Sequence, residues 1–158
     1  MYDLSQREEG AVRTQIIAAA AAVVLLVAGV ALGGRADGSV VLQLRTQHHS
    51  KLSGTATLTP HGQRFTVDIV LHGPKSKLAR SYPAHIHNVT CAKYATLKTV
   101  GAQYITVNDT LTDVAHGRSH TVVDTPLTAR GTGKYAINVH LPTGSFPTVA
   151  CGNIPAFG

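Results

Sequence analysis

Two short stretches of this chain gather residues whose types bind metals. The first reads Tyr-Pro-Ala-His-Ile-His-Asn-Val-Thr-Cys and supplies His85, His87 and Cys91; the second, near the C-terminus, supplies His140 and Cys151. Imidazole nitrogen suits copper, zinc, iron and nickel. Side chains at i and i+2 of a strand share a face, so His85 and His87 can serve one ion if their segment is extended. Holding copper tightly while leaving a coordination position open needs a third imidazole, and His140 is the natural candidate. The chain has two cysteines. They suggest a disulfide tying the two histidine segments together; two free thiols are the alternative. Such a bridge would close a long loop and contribute about 4 kcal/mol in the chain-entropy picture.

The elements that must position these groups read as strands. The chain has 158 residues, enough for one domain with its own core. It has no tryptophan and few aromatics, so Val, Ile, Leu and Ala must fill that core. Thr, Gly and Val are frequent, which favours strands and turns. Strand patterns fall at 39–45, 54–59 and 64–72, the last with Phe65, Val67, Ile69 and Leu71 on one face. Pro60 to Gln63 reads as the turn of a hairpin. Gly73 to Pro83 reads as a Lys/Arg-rich solvated loop, and 84–89 as the short strand bearing His-x-His. Further strands are expected at 102–107, 120–123, 134–141 and 148–154, with His116-Gly117-Arg118 as a turn. No segment outside the N-terminal region keeps a 3.6-residue period. An all-β antiparallel sandwich or barrel follows.

Residues 16–33 carry no charge and are rich in Ala, Val and Leu. At ~1.5 Å per residue the run spans just under a ~30 Å hydrocarbon core. It reads as a transmembrane anchor at 15–34 between a cytoplasmic segment, 1–14, and a linker, 35–39, leading to the β-domain at 40–158. A cleaved signal peptide is the alternative, with Gly29 and Ala31 as small residues for cleavage and secretion of the domain as the result. The preceding segment is mixed in charge and the apolar run is long, which favours the anchor. The cysteine pair places the β-domain in an oxidising compartment outside the cell membrane. Net charge is +6, but the cations are scattered and no aromatics are interleaved, so nucleic acid is not an expected partner. Asn88-Val-Thr and Asn108-Asp-Thr match glycosylation acceptors, but nothing indicates a eukaryotic secretory host and such tripeptides are common by chance.

The exported part resembles the copper/zinc superoxide dismutases and their relatives. Val40–Leu44 is similar to the family's first strand, Leu52-Ser-Gly-Thr-Ala-Thr-Leu to its second, and Phe65–Gly73 to its third. Ala84-His-Ile-His is similar to the family's Gly-Phe-His-Val-His, whose histidines bind copper. Tyr135–His140 resembles the strand that brings the last copper histidine, and Val149-Ala-Cys-Gly-Asn-Ile resembles the segment that ends the disulfide. The resemblance implies an eight-stranded Greek-key β-sandwich, a Cys91–Cys151 bond, copper on His85, His87 and His140, and superoxide as the small ligand.

The chain also departs from that family. Between Cys91 and Leu111 it has no histidine, and Asp109 stands alone, so the family's zinc ligands and bridging histidine have no counterpart and zinc is not expected. Only ten residues separate His140 from Cys151, and Thr148 occupies the position of the family's anion-orienting arginine. Arg118, Arg130 or a lysine of the 73–83 loop are candidate substitutes. His116 and His120 are candidates for an extra ligand, while His48, His49 and His61 read as turn residues on the surface. The expectation is a copper-only or degenerate member. It acts as a dismutase, as a non-catalytic copper-buffering module, or as a metal-free subunit of a membrane assembly. A homodimer is also open.

Overall fold

The computed structural model describes residues 38–97, 105–143 and 147–156, with backbone alone at 105–109. Eight strands run in order: β1 Val40–Thr46, β2 Ser53–His61, β3 Arg64–His72, β4 Ser81–His87, β5 Ile105–Ala115, β6 Arg118–Val123, β7 Ala136–His140 and β8 Thr148–Asn153. Among the described residues they are interrupted by two one-turn α-helices, α1 at Lys75–Leu78 and α2 at Cys91–Tyr94, and by a single 3-10 turn at Leu127–Ala129. The expected anchor at 15–34 and the segment before it lie outside the described residues. Among the described residues no helix is long and apolar enough to cross a membrane.

Period-two alternation makes the strands. In β3, Phe65, Val67, Ile69 and Leu71 are all buried, and the residues between them face outward. Leu42 and Leu44, Ala56 and Leu58, and Tyr82, Ala84 and Ile86 continue the same inner face on β1, β2 and β4. Every strand pair is antiparallel, in the spatial order β1-β2-β3-β6-β5-β4-β7-β8. Pairing of Arg45 with Cys151 and Thr46 with Ala150 closes the barrel. Strands β4, β5 and β6 lie side by side, and β7 returns to lie beside β4, which is a Greek key. Closure removes the exposed strand edges that an open sheet would present.

Turn chemistry sets the registers. His116 and Gly117, at φ 51° and 78°, form a two-residue hairpin loop between β5 and β6. Positive φ at both central positions is the turn that matches strand twist. Gly54 on β2 is needed for another reason: a Cβ there would lie 2.0 Å from the Val70 carbonyl oxygen on β3.

The short β4 segment differs from the sequence expectation. It begins at Ser81, not Ala84, and contains Pro83. Proline has no N–H for the ladder, and the register with β5 shifts between Tyr82 and Ala84 to accommodate it. The 73–83 loop contains α1, which at one turn is too short to show a helical period. β5 starts at Ile105 and runs on to Ala115, well beyond the expected end at residue 107; residues 102–104 lie outside the described set.

The β1–β2 connection is also built in detail. His48, His49 and Lys51 adopt left-handed backbone, at φ 46°, 54° and 63°, a conformation that costs L-residues roughly 1–2 kcal/mol each. Buried Ser50 holds them there. Its Oγ donates to the Val149 carbonyl at 2.6 Å and accepts from Leu52 N–H at 3.1 Å.

Candidate metal centre

The histidines stand on the outer face of neighbouring strands. β4 and β7 pair with His85 opposite Asn138 and His87 opposite Ala136. Alternation sends Ile86, Ile137 and Val139 into the barrel core. It therefore sends His85, His87, Asn138 and His140 to the other side. All five β7 residues are nonetheless buried, because a second layer covers that face. The layer is α2, whose Tyr94 ring packs against His87 with centroids 4.6 Å apart and against His140 at 5.8 Å.

Several local contacts fix this cover. Thr90 caps α2 by accepting the Lys93 N–H at 3.3 Å. The Cys91 N–H donates to Asn153 Oδ1 at 2.8 Å. Cys91 is disulfide-bonded to Cys151 on β8. The bond joins the cover to the strand beside β7, while the β4–β7 pairing itself sets the separation of the two histidine segments. The disulfide and the convergence of His85, His87 and His140 agree with the sequence reading.

Each of the three imidazoles offers a ring nitrogen, and these atoms lie within 4.8 Å of one another. His87 Nε2 and His140 Nε2 are 3.3 Å apart. Two metal–nitrogen bonds of ~2.05 Å meeting at a tetrahedral angle would set their nitrogens ~3.3 Å apart. His87 and His140 are each 1% exposed, whereas His85 is half-buried and forms the open edge of the group. Burial pushes the His85 pKa below the ordinary imidazole value, partly offset by the Asp113 carboxylate, which raises it. The net effect favours neutral imidazole, the protonation state that ligates.

The surroundings of the group are polar but poorly satisfied. Tyr94 Oη, Asn138 Nδ2 and Thr148 Oγ1 are buried with no hydrogen bond of good geometry. Thr148 and Asn138 lie close enough to the Tyr94 hydroxyl to lower its pKa somewhat, but burial dominates and raises it, so the phenol keeps its proton. Asn138 also rests against the Cys151 sulfur, which in a disulfide has no proton to donate. Sequence reasoning did not single out Tyr94 or Asn138. A signal existed for Asn138, which precedes His140 by two residues on the same strand and must share its face. Tyr94 had none, because a four-residue helix leaves no periodicity to read.

The other candidate residues stand elsewhere. His120 Nδ1 contacts Asp68 Oδ1 at 2.7 Å across the β3–β6 pair, on a largely exposed surface. His116 is the first residue of the β5–β6 turn. Neither belongs to the three-histidine group, which among the described residues is the one such cluster. Arg130 is buried with its guanidinium carbon 5.1 Å from the centre of the Tyr135 ring. Arg118 is an exposed residue at the start of β6. Lys77, from the 73–83 loop, lines a cavity that also includes Thr148.

No family model matches this chain, and no curated protein or solved structure gives a significant match.

Proposed function

We propose that this chain is a copper-binding domain of the superoxide dismutase-like type, with His85, His87 and His140 as the copper ligands. The observation that carries the reading is the 3.3 Å approach of His87 Nε2 to His140 Nε2 on the covered outer face of β4 and β7. Three neutral imidazoles form a donor set suited to copper. Copper, when bound there, supplies one-electron redox chemistry. The chain's own residues fix the rest. His87 and His140 are held by β4 and β7, Tyr94 packs over them, and the half-buried His85 is the most exposed member of the group. The resemblance in motifs supports superoxide as the substrate. We further propose that the apolar run at 16–33 tethers the domain to the outer side of the cell membrane, where a disulfide persists.

The test is metal analysis of the purified chain, followed by superoxide turnover of the copper-loaded form. The expected result is about one copper per chain with little zinc, rapid turnover, and loss of both in His140→Ala. Equal zinc would overturn the copper assignment. Bound copper without turnover would leave a copper-buffering module, the reading that a missing orienting arginine at Thr148 favours.

A further inference from the structure

We infer that the barrel mouth beside the histidine group binds a small free oxyanion, of the phosphate or short-carboxylate class, between Lys77 and the His48–His49 turn. This site uses none of the copper ligands.

A cavity of about 150 Å³ opens there, with His48, His49, Lys77, Tyr82, Leu141 and Pro147 among its lining residues. Its volume is below the ~300 Å³ at which pockets for larger organic ligands begin, so it suits an ion rather than a nucleotide. Among the described residues no carboxylate lines it. Its described polar side chains are the Lys77 ammonium, the His48 and His49 imidazoles and the Ser50, Tyr82 and Thr148 hydroxyls. The ammonium and the two imidazoles are able to donate to an anion's oxygens, whereas the Ser50 and Tyr82 hydroxyls already donate to backbone carbonyls. Among the described residues neither the ammonium nor either imidazole is held by a carboxylate.

The backbone supplies the second observation. His48, His49 and Lys51 all take left-handed conformations that glycine would adopt freely. Such residues persist where surrounding structure over-determines them, and they concentrate at ligand clamps. Here buried Ser50 provides the constraint, together with the Gln47 N–H bond to the Val149 carbonyl at 2.9 Å. The two imidazoles are thereby presented from a fixed turn. On the opposite wall the root of Lys77 is fixed as well. Its N–H donates to the Pro74 carbonyl at 2.9 Å, and its own carbonyl accepts from the Tyr82 hydroxyl at 2.8 Å. Lys77 is half-buried, while Lys75 on the same helix is exposed.

The cavity is continuous in sequence with the histidine group. Leu141 follows His140, and Thr148, which also lines the cavity, pairs with His140 across β7 and β8. An anion held at the mouth therefore sits at the end of the strand that carries a copper ligand.

The test uses the full chain stripped of metal, so its outcome does not depend on the copper assignment. Inorganic phosphate and acetate are titrated separately at constant ionic strength in chloride, by calorimetry and by histidine ring-proton NMR. The expected result is saturable binding of one of them in the millimolar range, with shifts at His48 and His49 and none at the exposed His120. Lys77→Ala should weaken binding at least tenfold, and His49→Ala several-fold. Saturation by phosphate alone, or by acetate alone, identifies the class. Failure of both to saturate below 50 mM (a chosen ceiling of roughly tens of millimolar, where binding free energy falls under ~2 kcal/mol) overturns the inference. So does binding that Lys77→Ala leaves unchanged in a variant whose NMR spectrum shows the folded barrel.

Discussion

The β4–β7 pair has two buried faces, and they are built on different principles. On the inner face Ile86, Ile137 and Val139 join a continuous apolar cluster. Each such side chain contributes roughly 1.5–3 kcal/mol through removal from water. On the outer face His87, Asn138 and His140 are just as buried, yet the cover over them leaves Tyr94 Oη, Asn138 Nδ2 and Thr148 Oγ1 without good hydrogen bonds. A buried polar group left this way costs about 1–3 kcal/mol. The inner face is thus organised for stability. The outer face instead holds three ring nitrogens within 4.8 Å of one another, at the cost of poorly satisfied polar groups around them.

Three measurements break or sharpen this contrast. The largest effect is expected from the disulfide, which fastens the cover to β8 across a sequence separation of 60 residues. Replacing both cysteines by serine should lower stability by about 4 kcal/mol in the chain-entropy picture. Amide exchange should locate the first loosening at Cys91–Leu97, with the inner-face strands still protected. Uniform loss of protection across the barrel would show that the two faces do not separate.

A pair of neighbouring substitutions comes next. Ile137→Ala should cost about 2–5 kcal/mol, as a large-to-small change in a packed core. Asn138→Leu, one residue along the strand but on the other face, should change metal-free stability by less than about 1 kcal/mol or raise it, because an unsatisfied polar group is removed. Denaturant midpoints decide the matter, and equal losses at the two positions would erase the distinction.

The smallest effect is the pH dependence set by His85. Its folded pKa lies below the ordinary imidazole value, so the unfolded chain takes up the proton first as pH falls. Metal-free stability should therefore be complete above the ordinary imidazole pKa and decline as pH drops through it toward the folded value. His85→Gln should show a shallower decline in the same titration. An unchanged slope would mean that burial of this ring is not coupled to folding.

Much of the frame was legible from local pattern. Alternation at Phe65, Val67, Ile69 and Leu71 gave β3 its bounds, because one face of a strand must be apolar when it backs a core. The i, i+2 spacing of His85 and His87 gave their common face for the same reason. The β4 start was less legible, since Pro83 argues against a strand and only a register shift makes room for it. His120 could not be judged from its alternation with Val122. Asp68, 52 residues away, reaches its ring only through the β3–β6 pairing.

The sequence by itself determined the all-β class, the common face of His85 and His87, and the cysteine pair, because these depend on composition and on a two-residue period. The tertiary structure decided that this face is the outer one, that α2 and Tyr94 roof it, and that neither His116 nor His120 joins His85, His87 and His140. Those outcomes depend on which strands become neighbours. Strand order in a Greek-key barrel is set by long connections and closure, which leave no mark on local spacing.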